Sequence, residues 1–392
     1  MLDSLKPDRL FEEAISVQRE VYPLTCAQMS IYYQCHYNPE GKMYDNPFII
    51  RLDGNVDLRR LEAAWQKVLD NHAAFRAELV RDGNGLPGFV LRDRTIAGNP
   101  LLSYSLTRKA FSVNFHHLIF DGASFGIMLR ELGKAYDGEE LEPEAVNPLA
   151  LGIYEQLLKD SESYVHGRQF YRALFEGRDC DTMLPYELPE TNADDIPCGE
   201  TAICISGEEK ENIENFISGK GITAANLFMW AFQRTLSEAV HKRGVYFCTG
   251  CHGRGNAQLH NAVGMMVRTL SLYLETDPDR HIGVQLQEVD AVLHNAIEAS
   301  DYPYASVADD CGLEYRCSFV YQGDDNSRLV LGGRSYPVEV QASGSAQADL
   351  VAMVIKYPDH YRIRLQYRSD CYRHETIAGF AEKFKYHCVT LK

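Results

Sequence analysis

The chain has 392 residues, of which 45% are hydrophobic and 24% charged, and its formal net charge is -16. This length exceeds what one hydrophobic core usually serves, so we expect two lobes, and the acidic balance argues against nucleic acid as the main partner. No apolar run is long enough to span a membrane and residues 1–6 lack the apolar core of a signal peptide, so we expect a cytoplasmic protein without a membrane partner.

The chain opens with two predicted helices. Apolar spacing predicts the first helix to about Val21, with one face formed by Leu10, Phe11, Ala14 and Ile15. Pro23 interrupts the pattern, and Thr25 can cap a second helix.

A strand over 48–54 comes next, and Asp57 can cap a helix whose apolar face is typical of a core helix. Two further strands are predicted at 89–91 and 101–106. The first lobe is therefore predicted to be mixed, with helices packed on a sheet.

The stretch that follows is predicted to leave a strand and enter a helix. Residues 111–115 alternate apolar and polar side chains, and His116 and His117 follow directly. Residues 123–132 are apolar at helical spacing. Imidazole titrates near neutral pH, so a histidine at a fixed strand end can move or position a proton. A single histidine in an apolar run is more often a packed core residue. Two adjacent histidines followed by a spaced Asp-Gly at a strand-to-helix junction are a far more specific signal than one histidine.

The turn between this strand and this helix carries its own signals. Asp121 or Ser124 can cap the helix, and Asp121 can brace the loop that bears the histidines. Gly122 lets the backbone turn without a Cβ clash.

The chain becomes more acidic and richer in proline from residue 137 to residue 200. It holds one predicted helix, over 149–175, and then a loose stretch over 179–200. We therefore place a lobe boundary here, with the first lobe at 1–175 and the second at 176–392.

The second lobe is predicted to be mixed as well. Its predicted strands lie at 201–205, 245–248, 315–322, 351–357 and 361–367. Its predicted helices lie at 209–217, 223–240, 284–301 and 376–389.

Residues 248–252 match the C-x-x-C-H pattern of c-type haem attachment. Eleven scattered cysteines suit reduced thiols in the cytosol, where haem is not attached, and a zinc site needs a second ligand pair that is not spaced nearby. We therefore expect no metal site and no bound cofactor.

The stretch His116 to Gly122 resembles the HHxxxDG motif of the condensation domains of nonribosomal peptide synthetases, within the superfamily of CoA- and carrier-dependent acyltransferases. Epimerisation domains and several acyl-CoA transferases share this motif. Other segments resemble further motifs of the family, namely Ala27–Gln28, His72 with Arg76, Gly253–Arg254, residues 263–269, residues 301–304 and residues 345–350. Arg268 stands where the family usually has asparagine.

The resemblance implies a fold of class α/β (α+β). It implies two lobes like chloramphenicol acetyltransferase, each a mixed sheet packed with helices, in a V-shaped pseudo-dimer with a tunnel between them. It also implies amide formation, in which the amine of an aminoacyl group attacks a thioester. Both substrates would arrive on the phosphopantetheine arms of donor and acceptor carrier proteins, beside an adenylation domain.

The resemblance also assigns roles to residues of this chain. His117 would contact the attacking amine as base or hydrogen-bond acceptor, and His116 would be structural. Asp121 would pair with Arg254 across the lobes, and Gly122 would offer a backbone N–H to the developing oxyanion.

Two further residues, Arg268 and Ser345, would line the substrate tunnel. Read as a natural start, Met1 lies about two dozen residues before the first motif, which favours an N-acylating starter domain.

Three alternative functions stay open on the sequence alone. An epimerisation domain has the same motif but needs a general base opposite the histidine. A free-standing acyl-CoA transferase would take soluble substrates, but the plant-type DFGWG signature is absent. A non-catalytic docking domain typically loses the histidine motif, which is intact here.

Overall fold

The computed structural model describes residues 6–38, 41–96, 98–189, 196–219, 221–277, 279–323, 328–341 and 345–391. Within these ranges, none of the helices is both long enough and apolar enough to cross a membrane.

The described helices are α1 (Pro7–Ser16), α2 (Cys26–Tyr37), α3 (Leu58–Asn71), α4 (Gly122–Asp137), α5 (Leu151–Leu158), α6 (Glu162–Phe175), α7 (Glu208–Ile217), α8 (Ala224–Val240), α9 (Ile282–Glu298), α10 (Tyr304–Cys311) and α11 (His374–Val389). The described strands are β1 (Tyr22–Pro23), β2 (Asp45–Arg51), β3 (Ala77–Arg81), β4 (Pro87–Leu91), β5 (Leu102–Leu106), β6 (Ala110–His116), β7 (Cys198–Ser206), β8 (Gly244–Cys251), β9 (Arg268–Glu275), β10 (Cys317–Gln322), β11 (Arg328–Leu331), β12 (Arg334–Val340), β13 (Leu350–Lys356) and β14 (His360–Arg368).

The chain divides into two compact units. The first unit comprises the described residues within 1–165, 252–268 and 326–343, and the second comprises those within 166–251, 269–325 and 344–392. This division differs from the single boundary expected after residue 175, because two later segments of the chain pack with the first unit.

The first unit is built on two sheets. Five strands lie in the order β11-β12-β2-β6-β5, and three lie in the order β1-β4-β3. β2 and β6 are antiparallel, with Asp45 opposite His116. Aromatic side chains fill the core behind β6, where the rings of Phe115 and Phe120 stack with centroids 3.9 Å apart. This packing holds both ends of the histidine stretch against the core.

The described residues of the second unit form one six-stranded sheet in the order β7-β14-β13-β10-β8-β9. β10 pairs in parallel with both β13 and β8, whereas β14 is antiparallel to β13 and β7, so the sheet is mixed. Its core is separate from that of the first unit and includes Phe232, whose ring contacts those of Phe247, Phe319, Phe380 and Phe384.

Helix starts follow the predicted capping residues. Thr25 forms a capping box with Gln28 at the start of α2. Asp57 caps α3 as predicted, and Thr223, for which no capping role was predicted, caps α8. In each case a side-chain oxygen accepts a backbone N–H of the first turn, which has no partner within the helix.

Two predicted helices differ from those observed, and some observed elements were not predicted. α1 ends at Ser16 instead of continuing to about Val21, because the chain becomes extended at Val17 and then enters β1. The helix predicted over 149–175 is two helices, α5 and α6, since the Ser161 hydroxyl accepts the N–H of Tyr164 and starts a new helix. Strands β1, β3, β9, β11 and β12 and helix α10 were not predicted from the sequence pattern.

Candidate active site

The histidine stretch lies where β6 ends and α4 begins, in the first unit. Asp121 is the residue that caps α4, and its side chain accepts the N–H of Ser124. Leu118, Ile119 and Phe120 between the histidines and the cap are buried. The loop is therefore fixed at both ends and along its apolar side.

His117 is half-buried and has a defined orientation. Its backbone N–H donates to the carbonyl oxygen of Tyr44 at 2.8 Å, and its Nδ1 lies 2.5 Å from the carbonyl oxygen of Phe120. A carbonyl oxygen only accepts, so Nδ1 must carry the hydrogen. In the neutral ring Nε2 is then unprotonated and can accept a proton or a hydrogen bond.

His116 has the opposite arrangement. Its Nδ1 accepts the backbone N–H of Leu118 at 3.1 Å, and its Nε2 lies 3.5 Å from the Sγ of Cys35. Burial lowers the pKa of His116, and the nearby Asp45 opposes that effect. Both ring nitrogens are thus occupied by neighbouring groups of the fold, as expected of a structural imidazole.

Asp121 and Arg254 form a buried bidentate salt bridge. Arg254 Nη1 lies 2.9 Å from Asp121 Oδ2, and Nη2 lies 3.0 Å from Oδ1. Both side chains are almost fully buried, with 0% of the Asp121 side chain and 5% of the Arg254 side chain exposed. Arg254 belongs to the first unit together with Asp121, so in this division of the chain the pair closes one unit on itself.

Residues 262–266 complete the surroundings of this pair, and we refer to them as the 262–266 segment. The carbonyl oxygen of Ala262 accepts from Arg254 Nε at 3.2 Å, and the N–H of Met266 donates to Asp121 Oδ2 at 3.0 Å. The Ser124 hydroxyl donates to the carbonyl oxygen of Gly264 at 2.9 Å and lies 2.9 Å from Arg254 Nη2. The buried charges are therefore saturated with hydrogen bonds, which offsets their loss of hydration.

Gly253 is required by the backbone path that leads into Arg254. Its φ is +65°, and a Cβ atom there would lie 1.8 Å from the carbonyl oxygen of Met266. No L side chain can be placed at that distance from a backbone oxygen. The glycine therefore allows the Arg254 loop and the 262–266 segment to lie against each other.

Gly122 is the first residue of α4 and is exposed. As a helical residue it does not adopt the left-handed conformation that favours glycine. Its N–H lies in the first turn of the helix, where backbone donors point out of the N-terminus.

The two expected tunnel residues lie in different units. Arg268 begins β9 at the end of the first unit's 252–268 segment, and Ser345 of the second unit forms an isolated bridge with Pro197. Both make interactions within the fold. Their roles in substrate choice stay predictions.

Sequence reasoning missed part of this site. Ser124 was considered only as a helix cap, yet its fully buried hydroxyl contacts Asp121, Arg254 and Gly264. The backbone donors of the 262–266 segment carry no sequence signal, because any residue type except proline supplies an N–H.

The chain matches the profile of the condensation domain over residues 18–96 and 88–390. It is 22% identical over 405 residues to bacitracin synthase 3 of Bacillus licheniformis, covering 94% of this chain and 6% of that protein. It is also 22% identical to tyrocidine synthase 2 of Brevibacillus parabrevis, covering 93% of this chain and 11% of that protein. These curated relatives are thus far longer than this chain.

Solved structures share the fold. The condensation domain from the monacolin K polyketide synthase MokA superposes with a TM-score of 0.81 at 16% identity, covering 94% of this chain and 96% of that one. The first condensation domain of the calcium-dependent antibiotic synthetase gives 0.78 at 16% identity and 96% coverage of both chains. The X-domain in complex with OxyB from teicoplanin biosynthesis gives 0.76 at 18% identity, covering 95% of this chain and 93% of that one.

The chain therefore belongs to the condensation-domain family, as its motifs indicated. Condensation domains of this kind, found in nonribosomal peptide synthetases, are amide-bond-forming acyltransferases, and the fold is that of chloramphenicol acetyltransferase-like proteins.

Proposed function

We propose that this chain joins a carrier-bound acyl or peptidyl thioester to the amine of a carrier-bound aminoacyl group. Donor and acceptor would arrive on the phosphopantetheine arms of two peptidyl carrier proteins, and an adenylation domain would load the acceptor carrier. The free cysteines of the chain suit the reducing cytoplasm that we propose as the site of this reaction.

The observation that carries this proposal is the orientation of His117. With Nδ1 held on the carbonyl oxygen of Phe120, Nε2 is the atom left to accept. The amine nitrogen attacks the thioester carbonyl carbon, and its proton passes to Nε2 or is held there by a hydrogen bond. The C–S bond then breaks, and the phosphopantetheine sulfur leaves with a proton.

The other residues have supporting roles in this proposal. His116 fixes the strand end, and Asp121 with Arg254 fixes the loop that carries His117. The N–H of Gly122 faces the developing oxyanion, and Arg268 and Ser345 influence which substrates are accepted. A thioester is already activated, so alignment of the two arms can supply much of the rate acceleration.

The test is a reconstituted reaction between a loaded donor carrier and a loaded acceptor carrier, with the product weighed by mass spectrometry. We expect the parent chain to form the amide and His117→Ala to lose the reaction by about 10²-fold or more while staying folded. His294→Ala, at an exposed histidine of α9, serves as the control and should react like the parent.

Offering the donor as a fatty acyl thioester tests the N-acylating starter reaction in the same assay. Formation of a normal amount of amide by His117→Ala would refute the assignment of His117. Inversion of the acceptor without amide formation would instead indicate an epimerisation domain.

A further inference from the structure

A buried histidine lies between two carboxylates of the first unit, apart from the residues of the candidate active site. His72 is 0% exposed; its Nε2 lies 2.8 Å from Glu131 Oε2, and its Nδ1 lies 3.0 Å from Glu144 Oε1. An ionised carboxylate only accepts hydrogen bonds, so two such partners require a hydrogen on each ring nitrogen. The geometry is therefore that of an imidazolium ion.

Glu144 connects this imidazolium to two backbone groups. Its Oε2 accepts the N–H of Ala73 at 2.9 Å, and its Oε1 accepts the N–H of Val263 at 3.0 Å. Only 6% of the Glu144 side chain is exposed, so these hydrogen bonds compete little with water. Glu144 thus ties the end of α3 to the 262–266 segment.

The 262–266 segment is the same segment that surrounds the Asp121–Arg254 pair. Met266 donates to Asp121, and Gly264 exchanges hydrogen bonds with Ser124 through both its N–H and its carbonyl oxygen. Val263, held by Glu144, lies directly before Gly264. Hydrogen bonds, together with the backbone of the 262–266 segment, therefore connect His72 to Asp121.

We propose that His72 is a positioning residue for condensation: as an imidazolium it holds Glu144 on Val263 and thereby keeps the 262–266 segment, and with it Asp121, in place. The proposal rests on the proposed function for its link to rate. The charged groups that act on the ring are Glu131 of α4 and Glu144 of the chain after α4, and the Phe75 ring packs edge-on at 5.8 Å.

We refer to the hydrogen bonds from His72 through Glu144 to Val263 as the clamp. Deprotonation of His72 should weaken it. Burial by itself lowers the pKa of His72, but the hydrogen bonds and charges of Glu131 and Glu144 raise it to about 9. While Glu144 holds the 262–266 segment in place, His72 therefore keeps its proton at neutral pH. When the segment opens and these contacts are lost, His72 would release that proton. Raising the pH should therefore favour opening of the 262–266 segment.

The first experiment uses the parent chain alone. Histidine labelled with ¹⁵N should show one ring with both nitrogens protonated at about pH 7.5, because a group with an ordinary histidine pKa is largely neutral there. Hydrogen-exchange protection of the Val263, Gly264 and Met266 amides should fall by up to about tenfold per pH unit between about pH 7 and pH 9. A neutral His72 ring, or protection that does not change with pH, would overturn the proposal.

The second experiment uses variants with a matched control pair. His72→Gln and Glu144→Gln should lower kcat by about tenfold to a hundredfold with the KM for both carriers unchanged, and should lower protection of the 262–266 segment. His260 and Glu142 form an exposed His–Glu pair at 3.7 Å, with 57% and 70% of their side chains exposed. His260→Gln and Glu142→Gln should match the parent in rate and in protection.

The two proposals fail in different ways. If the parent forms no amide, the proposed function fails, while the ring protonation and exchange data still decide whether the clamp exists. If Glu144→Gln retains the parent kcat and protection, the clamp is wrong and the condensation proposal is unaffected. Should His72→Gln fail to fold, the measurements on the parent chain give the answer.

Discussion

Asp121 and Arg254 are 133 residues apart in the chain, and the guanidinium of Arg254 donates to both carboxylate oxygens of Asp121 inside the first unit. The same carboxylate caps α4 and accepts the N–H of Met266. Three separate parts of the chain therefore meet at one side chain. Because His117 lies four residues before it on the same loop, the precision of this junction sets where the imidazole lies.

Removing the carboxylate should destabilise the first unit strongly. Asp121→Ala leaves the Arg254 guanidinium buried without its counter-ion, and removal of one partner of a buried pair costs about 3–5 kcal/mol. Urea unfolding followed by circular dichroism measures the loss. Removing both charges in Asp121→Ala/Arg254→Met should cost less than the two single changes added together.

The exposed pair Arg51–Glu339 is the control for that experiment. Its side chains are 66% and 46% exposed, so Glu339→Ala should lower the free energy of unfolding far less than Asp121→Ala. Equal losses for Asp121→Ala and Glu339→Ala would show that burial of the Asp121 carboxylate contributes nothing to stability.

A substitution should separate the roles of the two ring nitrogens of His117. In His117→Asn the side-chain amide can still donate to the carbonyl oxygen of Phe120, but no acceptor remains at the position of Nε2. We expect unfolding free energy within about 1 kcal/mol of the parent and a condensation rate lower by about 10²-fold to 10⁴-fold. A rate close to that of the parent would show that Nε2 takes no part in the reaction.

Gly253 should tolerate no side chain, whereas its neighbour Gly255 should. A Cβ at Gly253 would lie 1.8 Å from the Met266 carbonyl oxygen at a φ of +65°, while a Cβ at Gly255 meets nothing within 4 Å. We expect Gly253→Ala to cost about 2–5 kcal/mol from strain and overpacking. Gly255→Ala should stay near the parent in thermal denaturation, and a similar melting point for both variants would contradict the observed backbone path.

Stability should fall as the pH rises above neutrality because of His72. Its pKa is raised in the folded state to about 9, from an ordinary value of 6.5, so the folded chain binds a proton that the unfolded chain releases within this range. The stabilisation is complete below about pH 6.5 and is lost as the pH approaches 9, with a slope of at most about 1.4 kcal/mol per pH unit. Urea unfolding at several pH values measures this slope, which His72→Gln should lack. A slope that is unchanged in that variant would assign it to other groups.

The sequence by itself determined the local events of this fold. Alternation in residues 111–115 predicted β6, and short polar side chains predicted the starts of α2, α3 and α4. The histidine motif pointed to the family that the whole-chain comparison then established. These signals are readable because strand periodicity and helix capping depend on residues within a few positions of one another.

Only the tertiary structure decided which distant groups meet. It placed the 252–268 segment, with Arg254, in the first unit, and it brought Glu131 and Glu144 to the two sides of His72. It also selected the tautomer of His117 through the carbonyl oxygen of Phe120. Local patterns cannot specify such contacts, because they depend on how the sheets and helices pack and on backbone groups that every residue type carries.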